Sequence, residues 1–208
     1  MLLTERAAMR KRERMRLFTR SILICAVLTM SLSAFAQLNS NAVDVTLQAT
    51  LNETLSITLN SGNSQSIASI TPAAVNNFAG GPANVTTTWV MKPGRTAVAL
   101  YAYFSSATAA MAHTDAANTV DIPSGAIKAQ LNGAGAFNAL SNTVPFGGAN
   151  AGLQLFSTNI TGTNRNASRT DTVALELDLT GTVNGQDMTQ LPADVYNGTL
   201  HIRAQATP

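Results

Sequence analysis

The sequence predicts an all-β fold, a sandwich of about eight strands, on three observations. Apolar residues recur at every second position in segment after segment, as in DTVALELDL (171–179). Runs of Gly, Pro, Asn and Asp separate those segments, and these residues supply the backbone angles of turns. No stretch carries the three-to-four-residue apolar stripe of a helix. The Ala-rich SSATAAMAHTDAA (105–117) is the one place where a short helical turn fits.

The first 36 residues are not part of that fold. SILICAVLTMSLSAFA (21–36) is apolar, follows basic residues and ends in Ala34-Phe35-Ala36, the pattern of a secretory signal peptide cut after Ala36 to leave Gln37 first. Met15 gives a leader of ordinary length and competes with Met1 as the true start. The apolar core is shorter than the ~20 residues a membrane span needs, so the mature chain is expected to have none.

Removing the leader changes the electrostatics. Seven of the 13 Lys and Arg lie in residues 1–36, against two of the 11 Asp and Glu, so the remaining chain carries a net charge of −3. A nucleic-acid partner is not expected from that balance. The only cysteine, Cys25, also leaves. An exported chain without a disulfide must be held by core packing and strand pairing. Residues 37–208 suit one domain with a substantial core.

The elements follow in order. AVDVTLQATLNETLSITL (42–59) is an unusually long alternating run, with Val43, Val45, Leu47, Ala49 and Leu51 on one face and Leu55, Ile57 and Leu59 continuing the parity. ANVTTTWVM (83–91) and TAVALYAYF (96–104) alternate on either side of Lys92-Pro93-Gly94-Arg95, which reads as a hairpin. Trp89 shares the inner face with Val85 and Met91. AIKAQL (126–131) runs into Asn132-Gly133, a tight-turn signal, with a return over 137–140. GLQLFSTNI (152–160) is a strand, and TGTNRNASRT (161–170) a polar loop. In 171–179, Leu175 and Leu177 face the core, with Glu176 and Asp178 outside. VYNGTLHIRAQA (195–206) closes the chain, with Leu200 and Ile202 inward and His201 and Arg203 outward.

Chemistry is sparse. His113 lies beside Asp115, where a general-base pair competes with a plain surface loop. No nucleophile elbow, phosphate-cradling loop or zinc spacing occurs, so no enzyme, cofactor or metal is expected. Asp115, Asn118 and Asp121 offer oxygens without the spacing of a calcium loop. Tyr101 and Tyr103 face opposite to Leu100 and Ala102 and are the candidate ligand-facing aromatics.

Two segments carry a resemblance. NAVDVTLQATLNETLSITL follows the leader as an extended arm, and LPADVYNGTLHIRAQA places Tyr196-x-Gly198-x-Leu200-x-Ile202 after a proline loop. This layout resembles the cysteine-free pilins of chaperone–usher fimbriae, of the colonisation-factor type, and more distantly the spore-coat-protein-U group. The resemblance covers the two ends of the chain, and TVPFGGANAGLQLFS (143–157) has no counterpart in it. It implies an immunoglobulin-like sandwich over 52–208 that lacks one strand, completed by the arm, 37–51, of another copy. Val43, Val45, Leu47, Ala49 and Leu51 are then the donor residues, and 52–54 the hinge. It also implies a periplasmic chaperone, an outer-membrane usher and a fimbrial cell-surface destination. The competing reading is a self-complete, monomeric secreted module for a glycan or surface protein, with 42–59 as its own first strand.

Overall fold

The structure, a computed structural model, describes residues 45–208; the leader, Met15, Cys25, Gln37 and the first donor position, Val43, lie outside the described residues. The strands are β1 (Thr54–Ser61), β2 (Val75–Asn77), β3 (Ala83–Val90), β4 (Ala97–Tyr103), β5 (Ala112–His113), β6 (Ile127–Leu131), β7 (Asn138–Ala139), β8 (Gly152–Asn159), β9 (Asn166–Asp178), β10 (Thr182–Val183), β11 (Gln186–Asp187), β12 (Tyr196–Asn197) and β13 (His201–Thr207). The expected all-β class holds: no α-helix occurs among the described residues, and 105–117 contains none. No described helix is long and apolar enough to cross a membrane.

Period two decides which residues meet. Of the two main sheets, the larger has the order β1-β3-β9-β6-β7, with β2 also on β9, and the smaller has β13-β4-β8, while β10-β11 and β12-β5 form separate two-stranded ladders. Every pairing in the two sheets is antiparallel. Ile127, Val173 and Leu177 from the larger sheet share one core with Ala102 and Phe104 from the smaller. Trp89, Met91 and Val98 form a second cluster, joined by Leu55 and Ala206. The Trp89 indole N–H donates to the Asn164 carbonyl at 2.9 Å, so its one polar atom is satisfied.

The expected hairpin of 83–104 is not formed. β3 pairs with β1 and β9, while β4 pairs with β13 and β8. The turn at Lys92–Arg95 is a corner between sheets. Alternation fixes the face of a residue but not the partner of a strand. β4 shows why it sits centrally: Val98, Ala99, Leu100, Tyr101 and Ala102 are all buried, so both of its faces are covered. The Asn132-Gly133 turn does form, with φ of 53° and 64° and an Ala134 N–H to Leu131 carbonyl bond of 3.0 Å.

β9 begins at Asn166, inside the stretch expected to be a loop. Its first inward positions are Ala167, Arg169 and Asp171, two of them charged, which hides the alternation. Asp171 is buried and accepts from Arg169 Nε at 2.8 Å and from Asn132 Nδ2 at 2.7 Å. The Arg169 guanidinium lies 4.3 Å from the centre of the Phe156 ring on the other sheet. A buried carboxylate persists only with such partners.

Lys128 Nζ donates to Asp178 at 2.5 Å, across the β6–β9 ladder. That bond, with help from the Thr180 hydroxyl, lowers the Asp178 pKa to about 2. A carboxylate depressed in the folded state stabilises fully above its ordinary pKa, and that contribution is lost as pH falls through the folded value. Stability should therefore drop as pH falls from about 4 to about 2, and Asp178→Asn should remove that part of the slope. Denaturant midpoints across this range check it; equal acid sensitivity in both proteins would contradict the assignment.

Candidate functional site: an open groove between two strand edges

β1 is an edge of the larger sheet, bonded only to β3, and β13 is an edge of the smaller, bonded only to β4. No ladder joins these edges among the described residues. Unpaired N–H and C=O groups on two neighbouring edges are a template for one more strand.

The floor between them is apolar. Ile57, Leu59, Leu200, Ile202, Val85 and Leu175 line a cleft of about 450 Å³ with no charged residue. A second cleft of about 550 Å³ shares Gln65, Phe78, Met111 and Gly198 with the first, so the two form one continuous groove. The second is lined further on by Ile67, Ile70 and Val195, and Asp194 is its only charged residue.

The groove explains a departure from the sequence expectation. Leu177 is fully buried, as expected. Leu175, Leu200 and Ile202, expected in the core beside it, are only half-buried. They face inward, yet nothing lies over them, because they form the floor of the groove.

The two ends of the groove differ. At one end Leu55 of β1 and Ala206 of β13 pack against Trp89, Met91 and Val98, which closes it. The chain enters the sandwich at that end. Glu53 accepts from Arg95 Nε at 2.7 Å and from Arg95 Nη2 at 3.2 Å, and Lys92 Nζ lies at 3.8 Å. The Arg95 hydrogen bond holds the Glu53 carboxyl below the usual carboxylate range. Glu53, expected within a hinge, is instead tied to the β3–β4 turn.

At the other end the groove runs out between the segments before β2 and before β12. Gly198 is required there by close approach, since a Cβ would lie 2.1 Å from the Ala110 carbonyl oxygen. Asp194 accepts from Asn118 Nδ2 at 2.9 Å, Thr114 Oγ1 at 2.9 Å and the Asp115 and Val195 N–H groups. These bonds, that from Asn118 foremost, hold its carboxyl well below the usual range. Tyr196 OH donates to the Pro192 carbonyl at 2.8 Å and accepts from Asn118 at 3.0 Å. The rim at this end is thus fixed by hydrogen bonds.

The candidate donor residues among those described are exposed. Val45, Leu47 and Leu51 have 77%, 89% and 80% of their surface in solvent, and Ala49 is exposed as well. Residues 45–53 belong to neither helix nor strand. These apolar side chains, at alternate positions of one run, are left in water.

The other candidates resolve differently. Tyr101 is 8% exposed, with Phe146 edge-on at 5.9 Å, and Tyr103 is half-buried between Phe146 and His201. The Arg203 guanidinium caps Phe146 at 4.4 Å. The loop around Phe146 covers the outer face of the smaller sheet, so the tyrosines form no open platform. Sequence parity could not show that cover, because it comes from a distant loop.

His113 pairs with Asp121, its Nδ1 at 2.6 Å from Oδ1, rather than with Asp115. Asp115, Asn118 and Asp121 spend oxygens on protein donors: the Ala117 N–H, the Val120 N–H and His113. Among the described residues no group of three or more His, Cys, Asp or Glu is placed to hold a metal ion. No family model matches this chain, and neither a curated protein nor a solved structure matches it.

Proposed function

We propose that this protein is an exported structural subunit of a surface fibre, in which the arm of one copy fills the groove of the next. The observation that carries the reading is the apolar groove between two unpaired strand edges, in a chain whose preceding segment is an exposed alternating arm. Recognition of this kind is strand addition: backbone bonds give adhesion, and every second side chain gives register. Val43, Val45, Leu47, Ala49 and Leu51 are the donor residues in this reading, and the sandwich is an immunoglobulin-like fold one strand short. No catalytic role is proposed.

The closed end favours an arm from another copy. The chain leaves its own sandwich at Glu53, beside Leu55 and Ala206, where the groove is shut. Its own arm would have to reverse within Asn52–Glu53 and part that packing. The arm of a second copy meets the open end. In a repeating head-to-tail contact it then lies parallel to β1 and antiparallel to β13, with its Leu51 end at the open rim. Such a contact does not close on itself, so it propagates.

A periplasmic chaperone and an outer-membrane usher belong to the same reading, since an uncovered groove is an aggregation hazard during export. The test is an unheated denaturing gel of the exported protein. A ladder of multimers that collapses to one band on boiling is expected. A folded monomer at every concentration would instead favour the secreted binding module.

A further inference from the structure

The geometry points to a second contact between successive copies: the β3–β4 corner of the donor docks on the open rim of the acceptor's groove, basic surface against acidic. The inference rests on the fibre reading and adds a partner surface to it. Arm length carries it. Val43 to Leu51 is nine residues, about 30 Å when extended. Only Asn52 separates Leu51 from Glu53, which is clamped to Arg95. An arm seated with Leu51 at the open rim therefore draws the donor's corner within a residue or two of the acceptor.

The two surfaces suit each other. The donor corner carries Lys92, whose side chain is 64% exposed and whose Nζ lies 3.8 Å from the Glu53 that Arg95 already clamps, and Arg165, whose guanidinium donates to the Lys92 carbonyl at 3.1 Å. Arg95 there is already neutralised by Glu53. The acceptor rim carries Asp194 and the exposed Asp115, joined by the Asp115 N–H to Asp194 bond of 3.1 Å. Every hydrogen-bond donor to these two carboxylates is neutral: Asn118, Thr114 and backbone N–H groups. Beside them Val195 is 62% exposed, an apolar residue continuous with the groove floor. Charge at the mouth of a groove speeds and orients encounter, and salt weakens it.

Growth of multimers from full-length exported protein, diluted out of denaturant and followed by light scattering, tests this. Lys92→Glu should slow growth about tenfold at low ionic strength and flatten its salt dependence. Adding Asp115→Lys to that variant should restore growth; a double variant as slow as the single one overturns the pairing of these surfaces. Lys92 lies in an exposed turn, and a melting curve of each monomer separates misfolding from lost docking. Unchanged growth and salt response in Lys92→Glu, with multimers that still require Leu47, overturns the second contact and leaves the fibre reading standing. Multimers that persist in Leu47→Asp remove both.

Discussion

Leu47→Asp is expected to leave the sandwich folded and to stop multimer growth. Leu47 is 89% exposed, so the change removes no packing from the subunit that carries it. The cost falls on the acceptor. A carboxylate entering the groove finds no cation in its lining, and the only charge it meets is that of Asp194, of like sign. Burying an unpaired charge costs several kcal/mol, even after water and structure relax around it. A penalty of about 3 kcal/mol at each junction lowers the association constant more than a hundredfold and reduces a ladder to monomers. The unheated gel reads this directly, and the melting temperature of the variant should match that of wild type. A full ladder from Leu47→Asp would end the fibre reading.

The second large effect separates two leucines on one strand face. Leu177→Ala should destabilise the subunit by about 2–5 kcal/mol, because Leu177 is fully buried in the shared core. Leu175 stands two positions earlier on the same face of β9 but on the groove floor, where it packs against the core yet stays partly exposed. Its truncation should cost clearly less than that of Leu177, since part of its surface stays in water and little packing lies over it. An added AVDVTLQATL peptide should change that order. Once a strand covers the floor, Leu175→Ala should approach the cost of Leu177→Ala. Denaturant titrations with and without peptide measure both terms. Equal costs without peptide would mean that the face is already closed.

These leucines also mark how far the sequence could be read. The alternation of 171–179 placed Leu175 and Leu177 on the inner face, and both are there. It could not say that one has a sheet above it and the other a gap. Burial depends on what lies opposite, and the residues opposite come from β13 and from the far end of the chain. The same limit turned the expected 83–104 hairpin into a corner, since alternation is blind to pairing partners. It hid the start of β9, 166–170, where the inward Arg169 pairs with Asp171 just beyond. Turn chemistry was more legible, because Asn132-Gly133 dictates its own backbone angles. At the site, parity and position after the expected leader singled out the arm. The groove was not legible, because it is assembled from residues up to 145 positions apart, Ile57 and Ile202.

The Glu53 clamp and the β1–β3 register have a mechanical consequence. In a fibre of the proposed kind, tension enters each subunit at Glu53 and leaves through the strand held in the groove. Glu53 is tied to Arg95, so the corner takes load before β1 does. Beyond it, β1 runs antiparallel to β3 from Thr54↔Val90 to Ser61↔Asn84, along the direction of pull. A ladder pulled along its strands is loaded in shear: its bonds share the force and must fail together. A ladder pulled across them opens like a zipper, one bond at a time. The placement of β1 thus gives a chain without disulfides a way to bear tension, through the parallel loading of many weak bonds.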